Sequence, residues 1–316
     1  MSEPVDRGVV AERPDLGGGL ATPSFRLPEG ASSGLPTRPE PMTIGERTFR
    51  WGERTYVMGV LNVTPDSFSG DGLLADDDPV ASAVALGRAM VEDGADILDV
   101  GGESTRPGHE AVDAATERER VVPVVGALRR ANPDIPISVD TAKADVAAAA
   151  LDAGANLVND VAAVSPDDGL LGLAADRQVP VVLMHDRAEA RYTNLVAEVI
   201  ADLQAAIERA MRAGVAWDRL IVDPGFGFGK TPEHNVALLR ELAALRLLGR
   251  PVLLGTSRKS TLGRILDLPP DQRVEATVAT TVLAVAAGLD LVRVHDVRPN
   301  VRAARLADAV VRGWPR

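Results

Sequence analysis

From residue 57 to residue 312 the chain alternates between two textures. Short runs of Val, Leu and Ile repeatedly give way to longer Ala-rich stretches with helical periodicity. Eight runs read as strands, at 57–63, 96–100, 137–139, 157–159, 179–184, 220–222, 252–255 and 291–294. Helical stretches follow them at 80–92, 114–130, 142–153, 169–176, 195–213, 235–248, 260–287 and 297–312. Strands buried on both faces carry continuous apolar runs, which is the texture here. Eight such strands, each followed by a helix, predict an α/β fold, a (β/α)8 TIM barrel. An open doubly wound sheet is the alternative arrangement of the same elements.

Two segments precede the alternating part. Residues 48–56 read as an N-terminal β-hairpin, two short strands around a glycine turn, placed to cap the bottom of the barrel. Residues 1–42 are rich in Pro, Gly, Ser and Glu without sustained periodicity. Such a stretch cannot bury enough apolar surface to offset its ordering entropy, so a disordered N-terminal extension is expected, with the barrel domain at 43–316. Met42 offers an alternative start of translation.

Composition narrows the function classes. Apolar residues make up 46% and aromatics only 3%, so the core rests on Val, Leu, Ile and Ala. A formal charge of −11 disfavours nucleic acid or an anionic membrane surface as partner. The lack of cysteine removes disulfides, thiolate metal sites and a Cys nucleophile. Apolar runs are strand-length, and no basic segment followed by an apolar one opens the chain, so a cytoplasmic location is expected.

The polar residues are placed with a pattern. Asn62 ends the first predicted strand, and Gly101 to Arg106 follow the second. Asp140 follows the third, Asn159 ends the fourth, and His185 and Asp223 follow the fifth and sixth. Thr256 to Lys259 follow the seventh, and Arg293 with His295 mark the eighth. In a barrel these C-terminal strand ends converge on one mouth, where sites of this fold form. One Asp at a strand end is ordinarily a helix cap, but such groups at all eight ends point to an active mouth.

Local motifs are less informative. Gly225 to Thr231 imitates a phosphate loop, but the Walker pattern needs glycine where Pro224 stands. The run therefore reads as a flexible loop at the mouth. No HExxH pattern or GxSxG elbow is present. Lys259 suits either Schiff-base chemistry or the role of a fixed cationic donor. Its neighbours Ser257 and Arg258, with Arg293 and His295 one strand away, favour anion handling.

Longer segments carry a resemblance. Met58 to Ser69 resembles the first signature of the dihydropteroate synthase family, and Asp99 to Gly108 resembles its second. Ser138 to Thr141, Asn159-Asp160, Leu183 to His185, Asp223 to Lys230, Ser257 to Ser260 and Arg293 to Asp296 follow in family order. The resemblance implies a (β/α)8 barrel, a homodimer, and a magnesium-dependent reaction. That reaction joins 6-hydroxymethyl-7,8-dihydropterin diphosphate to para-aminobenzoate, giving 7,8-dihydropteroate and diphosphate in folate biosynthesis.

It also implies residue roles. Asp223 takes the guanidine-like edge of the pterin, helped by Asp140 and Asn159, with Lys259 donating to a ring acceptor. Met184 and Val161 form an apolar wall. Arg293 and His295, beside Val294, hold the diphosphate, and the amide oxygen of Asn62 holds magnesium. Thr105, Arg106, Pro107, Phe228 and Ser257 line the aminobenzoate pocket. Asp66, on the first loop, closes over the site, and with Lys259 and Arg293 completes the catalytic set. A silent pterin-binding paralogue and a pterin-dependent methyltransferase domain are the rival readings of the same barrel.

Overall fold

The structure, a computed structural model, describes residues 38–64, 73, 77–103, 112–161 and 169–314, all within the unit Pro36–Arg316. The chain begins with a hairpin, β1 (Met42–Ile44) and β2 (Arg47–Phe49), in which Met42 pairs with Phe49 and Ile44 with Arg47. Gly45 takes φ +57° at the first turn position, a conformation open to glycine and suited to a two-residue hairpin turn. The turn thus lies seven residues before Gly52, where the sequence pattern put it. The missed signal is the alternation of Met42, Thr43 and Ile44, with Met42 and Ile44 buried and Thr43 exposed. Met42, assigned by sequence to the extension, is therefore the first residue of β1. The rest of that extension, up to residue 37, lies outside the described residues.

The hairpin leads into eight parallel strands. They are β3 (Tyr56–Asn62), β4 (Ile97–Gly101), β5 (Ile137–Asp140), β6 (Leu157–Asp160), β7 (Val181–Met184), β8 (Leu220–Asp223), β9 (Leu253–Leu254) and β10 (Leu291–Val294). Their order in the sheet is β8-β7-β6-β5-β4-β3-β10-β9. A parallel bridge between Val222 and Val252, with Val222 N–H donating to Pro251 O at 3.0 Å, joins the two ends. The sheet is a (β/α)8 barrel, so the open-sheet alternative falls away.

The helices are α1 (Pro79–Glu92), α2 (Ala114–Ala131), α3 (Ala144–Asp152), α4 (Gly169–Arg177), α5 (Leu195–Arg212), α6 (Pro232–Arg240), α7 (Ser260–Leu266), α8 (Val274–Ala286) and α9 (Val297–Val311). Two predicted helices differ. The stretch at 235–248 starts earlier, because Thr231 caps it and Pro232 fits its first position, and after Arg240 it tightens into a 3-10 turn over Leu242–Leu248. The stretch at 260–287 is two helices. Asp267 turns left-handed at φ +54°, and Pro269 with Pro270 prevents continuation before α8. No helix among the described residues is long and apolar enough to cross a membrane.

The period of two along each strand divides the core. Residues such as Val57, Leu98, Val100, Val139, Val158, Leu183, Val222 and Val292 pack outward against the helices in one large cluster. Their neighbours Met58, Ile97, Leu157, Val182, Ile221, Leu253 and Leu291 form a second cluster inside the barrel. The hairpin side chains Met42, Ile44, Phe49 and Trp51 belong to that inner cluster, with Phe49 centred 4.7 Å from the ring of Tyr56. The hairpin therefore plugs the barrel floor and leaves the opposite end for chemistry. Phe49→Ala is expected to lower the unfolding free energy by about 3–5 kcal/mol in urea titration. A loss under about 1 kcal/mol would detach the hairpin from the cooperative core.

Candidate active site

Two residues beyond the apolar floor, the same inward faces turn polar. Ile97 is followed by Asp99, Ser138 by Asp140, Leu157 by Asn159, Ile221 by Asp223 and Leu291 by Arg293. Val182 is followed by Met184, which is 4% exposed and keeps an apolar patch in this layer. Strand geometry alone stacks the layers, since residues i and i+2 share a face about 7 Å apart.

Arg293 ties one side of the layer together. Its Nε donates to Asp99 Oδ2 at 2.6 Å, and its Nη2 donates to Asp140 Oδ2 at 2.5 Å. Asn159 Nδ2 donates to the same Asp99 oxygen at 3.3 Å. Burial works against the guanidinium charge, but Asp99 and Asp140 outweigh it and raise its pKa. Burial also pushes Asp140 up, against the pull of Arg293 and with the push of Asp99. The second oxygens, Asp99 Oδ1 and Asp140 Oδ1, and the hydroxyl of Ser138 are buried without a hydrogen-bond partner in the protein. Unpaired buried acceptors are costly, and three on two adjacent strands mark a place built for donors from outside the chain.

Across the barrel, Asp223 Oδ1 accepts from the Gly225 N–H at 2.7 Å. Burial raises its pKa, and the nearby Lys259 opposes that shift. Lys259 is pulled down to about 8 by burial, countered by Asp223. Its ammonium donates to Phe226 O and lies 4.5 Å from the centre of the Phe228 ring. Rather than hanging flexibly, the glycine run is fastened. Gly225 sits at φ +65° so close to the preceding strand that a Cβ would fall 1.7 Å from His185 O. Tyr192 hydroxyl donates to Gly229 O at 2.8 Å, and Lys230 donates to the carbonyls of Gly225 and Phe228, each at 3.0 Å.

The rim carries the remaining predicted residues. Asn62 Nδ2 lies 3.4 Å from His295 Nε2, and Ser257 Oγ lies 3.0 Å from His295 Nδ1. Asn62 turns its amide nitrogen to the histidine. Arg258, at φ +59°, forms a bidentate pair with Asp296. The side chain of Val294 departs from expectation. It packs in the outer cluster against the helices, on the opposite face of β10 from Arg293, so alternation keeps it out of the mouth. Val161 follows β6 and is half-buried. Asp66, Thr105, Arg106 and Pro107 lie outside the described residues. Among the described residues no cluster of three or more His, Asp or Glu suits a metal ion.

The site brings together Asp140, Asn159, Met184, Asp223, Lys259 and Arg293 in one inner layer, with Asn62, Ser257 and His295 beside it. Sequence reasoning omitted Asp99 as a site residue, although its spacing of two from Ile97 is the signal that faces it inward. It also placed His185 at the mouth. The ring is instead fully buried beneath the glycine loop, where Nε2 meets Asp202 Oδ2 at 3.0 Å and Nδ1 meets Lys230 Nζ at 2.8 Å. Beside an ammonium, Nδ1 must accept, so Nε2 carries the proton and donates to Asp202.

Burial and then Lys230 lower the His185 pKa to about 4. An unfolded histidine takes its proton near 6.5. The folded ring resists until about 4, so this group makes stability fall as pH drops across that window. Long-range nitrogen NMR should find His185 neutral with Nε2 protonated at pH 6. A ring that titrates near 6.5 instead would contradict the buried pairing.

Fold and site together define a (β/α)8 barrel of the enzyme type, with a polar inner layer at the C-terminal strand ends and Asn62, Ser257 and His295 gathered at its rim. A family profile described as "Pterin binding enzyme" matches residues 58–295. The dihydropteroate synthase of Clostridium beijerinckii is 48% identical over 272 residues, covering 86% of this chain and 100% of that protein. The structure of Xanthomonas albilineans dihydropteroate synthase with 4-aminobenzoic acid superposes with a TM-score of 0.80 at 45% identity, covering 87% of this chain and 98% of that one. The same enzyme in complex with 7,8-dihydropteroate gives a TM-score of 0.77 at 44% identity, covering 85% and 98%. The chain belongs to the dihydropteroate synthase family.

Proposed function

We infer that this chain is a transferase that condenses 6-hydroxymethyl-7,8-dihydropterin diphosphate with para-aminobenzoate, yielding 7,8-dihydropteroate and diphosphate for folate biosynthesis. The unpaired inward oxygens of Asp99 and Asp140, facing a barrel interior shared with Asp223, carry this reading. A dihydropterin presents an edge of N–H donors, and buried carboxylates accept such an edge in short, charge-assisted bonds. Lys259, already beside Asp223, donates to a ring acceptor, and Met184 with Val161 supplies apolar contact to the flat ring.

The C–O bond of the exocyclic methylene breaks with its electron pair leaving on diphosphate. The positive charge left behind spreads into the pterin, whose bed of carboxylates stabilises it. The arylamine nitrogen then forms the new C–N bond and gives up a proton. No protein nucleophile takes part. His295, held by Ser257, and Arg293 handle the departing anion. To reach it, Arg293 gives up part of its pairing with Asp99 and Asp140 as the pterin donors replace it.

Magnesium fits the residues present as a shared ion. Asn62 would supply one neutral oxygen, with substrate phosphate oxygens and water as the remaining ligands, a normal arrangement for magnesium. When bound, the ion neutralises charge on the leaving group. In the same reading Thr105, Arg106 and Pro107 join Phe228 and Ser257 in receiving the aminobenzoate, and Asp66 belongs to the catalytic set. The lack of cysteine suits a reducing cytoplasm.

A homodimer is also part of this reading. Leu283 on α8 is 47% exposed, and Leu306 and Val310 on the neighbouring α9 are 67% and 77% exposed. Apolar side chains grouped on adjoining helices favour a partner, here a second copy. Sedimentation should give about twice the 33.2 kDa chain mass, and Leu283→Asp should shift it towards monomer.

Purified protein with magnesium and both substrates is expected to release diphosphate and form dihydropteroate, and chelation should abolish turnover until magnesium is restored. Asp223→Ala should weaken pterin binding by about a hundredfold or more, while Arg106→Ala mainly raises the KM for aminobenzoate. Normal binding of both ligands by both variants would refute the assignments. Absent turnover with intact pterin binding would favour the silent paralogue.

A further inference from the structure

The reaction above leaves Lys230 without a task, yet its position is unusual. Its ammonium has three acceptors: Gly225 O and Phe228 O at 3.0 Å and His185 Nδ1 at 2.8 Å. An ammonium has three protons, so this set saturates it. Two acceptors belong to the loop that carries Phe228. The third belongs to a ring fixed from behind, because Asp202 on α5 accepts from His185 and, at 2.7 Å, from Arg187 Nε. Arg187 Nη1 in turn donates to Glu198 on the same helix at 2.7 Å.

The loop's other bonds are arranged around this anchor. Lys259 holds Phe226 O, Asn235 Oδ1 accepts from Gly227 N–H at 2.8 Å, and Tyr192 holds Gly229 O. Among the described residues, Lys230 alone joins the carbonyls at the loop's beginning and its aromatic tip to the frame of the barrel. Burying an ammonium is costly, and burial draws its pKa down to about 7. A structural need to satisfy two carbonyls does not require so expensive a group.

We propose that Lys230 is a positioning residue for the second substrate: it clamps the Gly225 and Phe228 carbonyls onto His185 and so sets the Phe228 ring as a wall for the arylamine. This rests on the reading of Phe228 as part of the aminobenzoate pocket. Pterin contacts depend on it less, because Asp223 keeps its own bond to Gly225 N–H.

The test compares wild type, Lys230→Met and Lys230→Arg. Wild-type turnover is measured first, and its absence would count against the function rather than the clamp. With turnover established, Lys230→Met is expected to raise the aminobenzoate KM about tenfold or more, with pterin affinity measured by calorimetry changing less than about threefold. Lys230→Arg, which keeps donors, should recover part of the loss. Unchanged aminobenzoate KM in Lys230→Met overturns the proposal. So does an equal loss for both ligands, which would make Lys230 a general structural support. If Lys230→Met does not fold, the comparison is made with Lys230→Gln, a shorter side chain with donors but no charge. A rise in KM confined to aminobenzoate there upholds the clamp, and an unchanged KM overturns it.

Discussion

Three carboxylates and two cations share the inner layer of this barrel, and their balance governs the site. Asp99, Asp140 and Asp223 face Arg293 and Lys259 in a space that burial makes poorly solvated. Charges taken from water are tolerated only when paired, and here the pairing is deliberately incomplete on the acceptor side. Arg293 satisfies one oxygen each of Asp99 and Asp140, and their other oxygens stay unpaired. A surplus of buried acceptors suits a ligand rich in N–H donors that becomes cationic as it reacts. The free energy needed to hold that surplus comes from the apolar clusters inside and outside the strands.

The same economy explains the floor. A barrel of this size is filled by side chains, and the hairpin contributes Met42, Ile44, Phe49 and Trp51 to the filling. With the bottom closed by apolar packing, polar side chains that follow two residues later have only the upper end to face. The glycine loop completes that end. Gly225 permits the backbone to pass where any side chain would strike His185 O, and Lys230 and Lys259 then hold carbonyls on both sides of the loop.

Much of this was legible in the residues. Strand and helix periodicity put all eight strands within a few residues of their observed bounds, because short, continuously apolar strands alternating with helices have a distinct texture. The strand-end residues Asp140, Asn159, Asp223, Lys259 and Arg293 were read correctly as converging, since a closed barrel brings every C-terminal strand end to one face. Boundaries failed where short-range chemistry competes with periodicity. The Thr231 cap advanced α6, the Pro269-Pro270 pair divided α7 from α8, and Met42 belonged to a strand although it follows a Pro-rich segment.

By itself, then, the order of residues determined the strand count, the inward and outward faces, and which strand ends carry chemistry, for these depend on local period and on connectivity. Only the tertiary structure decided who pairs with whom. Asp99 and Arg293 are 194 positions apart, and His185 meets Lys230 across 45. Such pairings follow from barrel closure, stagger and burial, which act between strands and leave no trace in the period of any one of them.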